Sequence, residues 1–333
     1  MRRGVIGAVA GSLVLVGTLV LQGTGGAEPD KSNSSQVATY EIGLIGDMPY
    51  GDAGRQQFPR VIDEINRAHL AFTAFDGDIK NGSERCDQGQ YDLAAKNFAA
   101  FQAPLVYVPG DNEWTDCDRA SNGSYDPNER LALVRKMFAA TPNSLGQRTI
   151  ALQRQSPSYP ENVRWNYGPV AYVGENVTGS DNNAPQFDAT GKQIDGDAAE
   201  YAARNAANVA WLDDSFAQAT AAHAKAVMVV IQADMWAAAD PTGHFADTKR
   251  ELARLAIKFP GQVVLVNGDS HFLQIDKPLT DAAGNTIENF TRVQTFGSTQ
   301  NHWVSAKVDP QDPQVFSFQQ HVVAANVPAY VAP

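Results

Sequence analysis

The sequence predicts an α/β fold in which parallel strands are joined by right-handed helical crossovers. Three observations carry this expectation. Short β-prone runs over 40–45, 70–75 and 105–108 alternate with stretches of helical period. A continuous apolar run over 226–231 and another β-prone run over 263–266 repeat the pattern late in the chain. Each of these runs stops at a turn bearing oxygen donors, and the carboxyl ends of strands are where open α/β sheets place their ligands. There is no internal repeat and no low-complexity linker, so one domain holding two sheets fits better than two domains.

The elements follow in order. The first strand, 40–45, ends in Gly46-Asp47-Met48-Pro49-Tyr50. Phe58, Val61, Ile62 and Ile65 fall at helical spacing, so a helix comes next. The second strand, 70–75, ends in Asp76-Gly77-Asp78, and 91–101 reads as a helix with Leu93, Ala94 and Phe98 on one face. The third strand, 105–108, ends in Pro109-Gly110-Asp111-Asn112-Glu113. A polar loop over 118–128 precedes a helix over 129–139. The runs 150–154, 163–167 and 170–173 suit antiparallel strands, the last two joined by Gly168-Pro169. Residues 179–195 are polar and aperiodic, a surface loop, and 198–217 is a long Ala-rich amphipathic helix. The buried strand 226–231 ends at Gln232, a helix spans 248–259, and 263–266 ends in Asn267-Gly268-Asp269-Ser270-His271. The runs 292–296, 303–308 and 315–320 close the chain as strands.

Composition sets bounds on function. A chain of 333 residues, 43% hydrophobic and 19% charged, is ordinary for a globular protein. A net charge of -11 argues against a broad basic nucleic-acid face. Arg2 and Arg3, an apolar run over 5–21 and the small exit residues Gly25 and Ala27 describe a signal peptide over 1–27, followed by a polar lead-in over 28–38 and a single domain over 39–325. An uncleaved membrane anchor is the alternative for the first segment. With cleavage, the mature chain is secreted, periplasmic or held at the cell surface, without a membrane segment. The only two cysteines, Cys86 and Cys117, then read as one disulfide tying two strand-end loops together.

The strand ends supply Asp47, Asp78, Asp111, Gln232, Asp269 and His271. Four converging carboxylates repel, so some hold protons or a cation sits among them. A divalent metal site is the economical reading. The ordered blocks DMP, DGD, PGDNE, a strand-end Gln and GDSH resemble the calcineurin-like metallophosphoesterases, whose pattern is D-x-H, G-D, G-N-H-E/D, a strand-end H and G-H-x-H. The resemblance spans about 40–308. It implies a four-layered αββα sandwich with mixed sheets, two metals, and hydrolysis of a small phosphorylated substrate, a phosphomonoester or phosphodiester, by a metal-activated water.

Carried over position by position, Asp47 matches the first acid and Asp78 the metal-bridging one. Pro49 stands where the first histidine belongs, Asp111 on the asparagine, Asn112 on the following histidine, and Glu113 on the acid. Gln232 replaces the lone strand-end histidine and Asp269 the first histidine of the last block, while His271 matches the second. One metal would keep Asp47, Asp78 and His271. The other would face Asp78, Asp111, Gln232 and Asp269, an all-oxygen set that favours Mn²⁺, Mg²⁺ or Ca²⁺ over Zn²⁺. Four carboxylates against two divalent ions leave about zero charge, where two leave about +2, so phosphate is held less firmly. Asn112 has no proton to give a leaving alkoxide; Glu113 and His302 are the candidates to do so. A catalytically impaired protein that binds a metal or ligand without hydrolysis is the alternative reading.

Overall fold

The computed structural model describes residues 38–237 and 243–330, all within one compact unit, Val37–Pro333. The expected signal peptide and nearly all of the polar lead-in lie outside the described residues. Helices α1 (Gly51–Arg67), α2 (Gln88–Phe98) and α3 (Pro127–Phe138) lie between or after the strands β1 (Tyr40–Ile45), β2 (Thr73–Phe75) and β3 (Leu105–Tyr107). Strands β4 (Gln153–Ser156), β5 (Tyr159–Tyr167) and β6 (Val170–Gly174) follow, then a short hairpin of β7 (Gln186–Phe187) and β8 (Gln193–Asp195). Helix α4 (Ala198–Ala221), β9 (Ala226–Val230), helix α5 (Ala246–Lys258) and β10 (Gln262–Asn267) come next. The chain closes with β11 (Gln274–Asp276), β12 (Phe290–Gln294), β13 (Trp303–Val308) and β14 (Phe316–His321).

Two large mixed sheets result. One has the order β14-β13-β1-β2-β3, the other β11-β12-β10-β9-β6-β5-β4. Strands β1, β2 and β3 run parallel, as do β6, β9, β10 and β12; β13, β14, β11, β5 and β4 pair antiparallel. Period-two alternation explains the layering. Ile42, Leu44, Val106 and Val108 from the first sheet meet Val170, Tyr172, Met228, Val264 and Val266 from the second in one buried cluster. The other faces, through Val173, Val227, Val229 and Leu265, take Trp211, Phe216, Leu252 and Leu255 from α4 and α5. Ile45, Phe75 and Tyr107 take Phe58, Ile62, Tyr91 and Phe98 from α1 and α2. The architecture is helix, sheet, sheet, helix, the four-layered αββα sandwich expected.

Boundaries move by a few residues, and one segment differs in kind. Residues 179–195 are expected to be a surface loop, yet Gly179, Asn182, Asn183 and Ala184 are buried, and the exposed remainder pairs as the β7–β8 hairpin. Cys86 and Cys117 form the expected disulfide, with Cα atoms 5.7 Å apart.

Candidate metal centre

Four of the six strand-end donors stand in the left-handed backbone region: Asp47 (φ 51°), Asp78 (62°), Asp269 (72°) and His271 (63°). Asp and His enter this region more readily than most residues, and such outliers cluster at functional sites. Each marks the point where a strand stops and its side chain turns to its neighbours from other strands.

Asp47, Asp78 and His271 come together, one ligand atom from each within 4.8 Å of the others. They are the only acids, histidines or cysteines among the described residues that gather this way in threes. His271 Nδ1 lies 2.8 Å from the Ser298 carbonyl, so Nδ1 carries the hydrogen and donates it. Nε2 then faces Asp47 Oδ1 across 3.4 Å. Two donors each about 2.1 Å from one ion at right angles stand about 3 Å apart, close to this spacing. Burial draws the His271 pKa down, but the Asp47 carboxylate outweighs it and holds the imidazole above its usual value.

The acids around this group are unusually crowded. Asp47 and Asp76 are fully buried, and both keep one carboxylate oxygen with no hydrogen-bond partner. Burial pushes the Asp76 carboxyl well above the usual carboxylate range, and the charge of Asp47 adds to it. Burial does the same to Asp78, helped by Asp111 and Asp47, and to Asp269, again with Asp111 and Asp47. Asp47 is raised by burial too, against the pull of His271. Unpaired buried oxygens at this density call for cations or protons. The residues present therefore fit one divalent ion between Asp47, Asp78 and His271.

Asp78 is held by its neighbours. Its Oδ2 accepts from Tyr50 Oη at 2.7 Å and from Asn112 Nδ2 at 2.5 Å, and its Oδ1 accepts from the Asn112 backbone N–H at 3.0 Å. A Cβ on Gly110 would lie 2.1 Å from Asp78 Oδ1, so only glycine admits this approach. Asn112 also donates to Tyr50 Oη at 2.8 Å. The amide in the expected proton donor's slot is thus spent on a ligand and on Tyr50.

The other sequence candidates have the following partners. Glu113 is fully buried and sits beneath the turn, where Oε1 accepts from Tyr107 Oη and the Gly110 N–H, each at 2.6 Å, and from the Asp78 N–H at 3.2 Å. This braces the loop. His302 stands edge-on to Phe296 with ring centroids 5.3 Å apart, and burial lowers its pKa. Asp269 joins Asp47 through its backbone N–H, 3.0 Å from Asp47 Oδ2, while its own Oδ2 accepts from the Asp234 N–H at 3.0 Å. Gln232 Oε1 accepts from the Gly179 N–H at 2.6 Å. Asp111 Oδ2 lies 2.6 Å from Ser180 Oγ.

Sequence reasoning missed Ser180, Asp116 and Lys80. Ser180 Oγ is also 2.6 Å from Asp116 Oδ1. A hydroxyl has one hydrogen, so two carboxylates at this range need a further proton between them. Burial, followed by the charge of Asp111, raises the Asp116 carboxyl to about 7, so it can supply that proton. Lys80 is fully buried, donates to the Asn81 carbonyl at 3.1 Å and loses pKa to burial. It is two residues beyond Asp78 in a strand-end loop, the one signal that could have flagged it.

No family model matches the sequence, and no curated protein sequence matches it. Among solved structures, the chain is similar to a dimetal phosphatase from Danio rerio (TM-score 0.49, 14% identity, covering 87% of this chain and 97% of that one). It is similar to a purple acid phosphatase from yellow lupin seeds (0.49, 11%), spanning 86% of this chain and about half, 54%, of that one. The anchor protein of the inner membrane complex of Plasmodium aligns at 0.43 and 9% identity over 85% and 89% of the two chains. The two mixed sheets and outer helices make up an αββα sandwich whose strand ends gather Asp47, Asp78 and His271.

Proposed function

We propose that this is an exported, metal-dependent phosphoesterase acting on a small phosphomonoester or phosphodiester. The carrying observation is the gathering of Asp47, Asp78 and His271 within 4.8 Å at the ends of β1, β2 and β10. These residues would hold a divalent ion, with Mn²⁺, Mg²⁺ or Ca²⁺ favoured over Zn²⁺ because carboxylates dominate. A bound ion supplies Lewis acidity toward a phosphoryl oxygen and lowers the pKa of water. The chain's own part is orientation. Tyr50 and Asn112 fix the Asp78 carboxylate, Ser298 fixes the His271 tautomer, and Glu113 ties the β3 turn to the Asp78 backbone. The Cys86–Cys117 disulfide supports an oxidising, extracytoplasmic compartment.

The test is hydrolysis of p-nitrophenyl phosphate and bis-p-nitrophenyl phosphate by protein loaded with Mn²⁺, Mg²⁺, Ca²⁺ or Zn²⁺. Turnover that needs the ion and disappears in Asp47→Asn is expected. No turnover with any of the four ions rejects the hydrolase. Asn112 favours a second reading, a metal-binding protein without hydrolysis, because its amide has no proton to donate to a leaving group and is already bonded to Asp78 and Tyr50. That reading expects Mn²⁺ to raise the melting temperature while neither ester is cleaved.

A further inference from the structure

We infer that the centre holds a single ion, because the buried Gly179–Ser180 turn packs against the second donor set and engages Gln232 Oε1 and Asp111 Oδ2, leaving Asp111 only Oδ1 without a partner. The inference rests on the metal-site reading above and concerns the set Asp78, Asp111, Gln232 and Asp269. A Cβ on Gly179 would lie 2.9 Å from both Asp111 Oδ2 and Asp269 Oδ1, so the backbone of the turn sits against both carboxylates. Gln232, whose amide oxygen is its only metal-binding atom, gives that oxygen to the Gly179 N–H at 2.6 Å. Asp111 Oδ2 takes the Ser180 hydroxyl at 2.6 Å. Asp269 Oδ2 takes the Asp234 N–H at 3.0 Å. Neither Asp111 nor Asp269 joins the group that gathers within 4.8 Å.

The turn is built in. Ser180, Asp181, Asn182 and Asn183 all have positive φ, from 49° to 60°. Arg204, fully buried on α4, donates to Asn182 Oδ1 at 2.6 Å and to the Asn182 carbonyl at 2.7 Å. It also bonds the Asn176 carbonyl at 2.8 Å on the other side of the turn. Glu200 holds the guanidinium through Nε at 2.7 Å and accepts from Asn183 at 2.8 Å. Arg204 is therefore a positioning residue that presses the turn onto Asp111 and Gln232.

Mn²⁺ titration of the full chain, read by metal content and by electron paramagnetic resonance, tests this. One Mn²⁺ per chain with an uncoupled spectrum is expected. Asp111→Asn still binds one ion per chain, while Asp47→Asn loses it, circular dichroism confirming that both variants fold. Two ions per chain, an exchange-coupled spectrum or loss of the ion in Asp111→Asn overturns the single-ion inference and leaves a metal site standing, whereas retention of the ion in Asp47→Asn places it outside the Asp47–Asp78–His271 group and overturns that assignment. No bound ion at all overturns the metal-site reading itself.

Discussion

Replacing Asp116 with asparagine should reduce, by about 2–3 kcal/mol, the stability that the metal-free protein loses between pH 5 and pH 8. The carboxyl is 2% exposed, and burial with the neighbouring Asp111 charge lifts its pKa from 3.8 to about 7. The folded state thus keeps a proton that the unfolded chain releases early. Stability from this group is fully present below about pH 4 and is lost as pH rises through about 7. From pH 5 to pH 8 the loss is about 2–3 kcal/mol at 1.36 kcal/mol per pKa unit. Asparagine mimics the protonated form: its oxygen can accept from Arg119, as Asp116 does now, and its amide can donate to Ser180 Oγ. Urea unfolding in chelator at both pH values, for wild type and variant, gives the difference of differences. Equal losses in the two proteins would show that Asp116 holds no extra proton and would refute the proton assignment around Ser180.

Two further outcomes follow from the packing. Arg204→Met strips Glu200 of its buried partner and Asn182 of two donors, and should cost about 3–5 kcal/mol in denaturant unfolding; adding Glu200→Gln should recover part of that loss, and no recovery contradicts the pairing. Replacing Cys86 and Cys117 together with serine opens a loop of sequence separation 31, worth about 3–4 kcal/mol on the chain-entropy model, and a loss below about 1 kcal/mol in the same assay counts against it.

The elements that sequence reads best are those whose signal is local. Strands β1 and β13 match their expected spans, 40–45 and 303–308, because alternating apolar side chains face one buried layer. Strand β2 begins at Thr73, three residues later than expected, since apolar content at Leu70 and Phe72 marks burial and not ladder pairing. The edge strand β11 carries only three residues, of which Ile275 is half exposed, and gives no periodic signal. At the site, the acids were legible because each closes a strand, yet their partners were not. The turn at Gly179 is polar, aperiodic and left-handed, and its burial comes from Arg204 and Asp111, both distant in sequence. Tyr50 was legible as a neighbour of the first acid, but its bond to Asp78 spans 28 residues and depends on the parallel pairing of β1 and β2.

The Gly179–Ser180 turn also makes a two-ion centre hard to install one step at a time. A histidine at position 112 must first give up the amide's bonds to Tyr50 and Asp78, in a space where Asn112 Oδ1 already lies 2.6 Å from the point a Cβ on Gly82 would occupy. A histidine at 232 or 269 arrives at a position where the turn's backbone stands in the way, and the turn stays while Arg204 and Glu200 hold it. Each single histidine substitution loses an existing interaction before any second ion can repay it. The residues at 112, 232 and 269 are thus interlocked, and a laboratory lineage aimed at a two-ion centre has to cross a valley in which several positions change together.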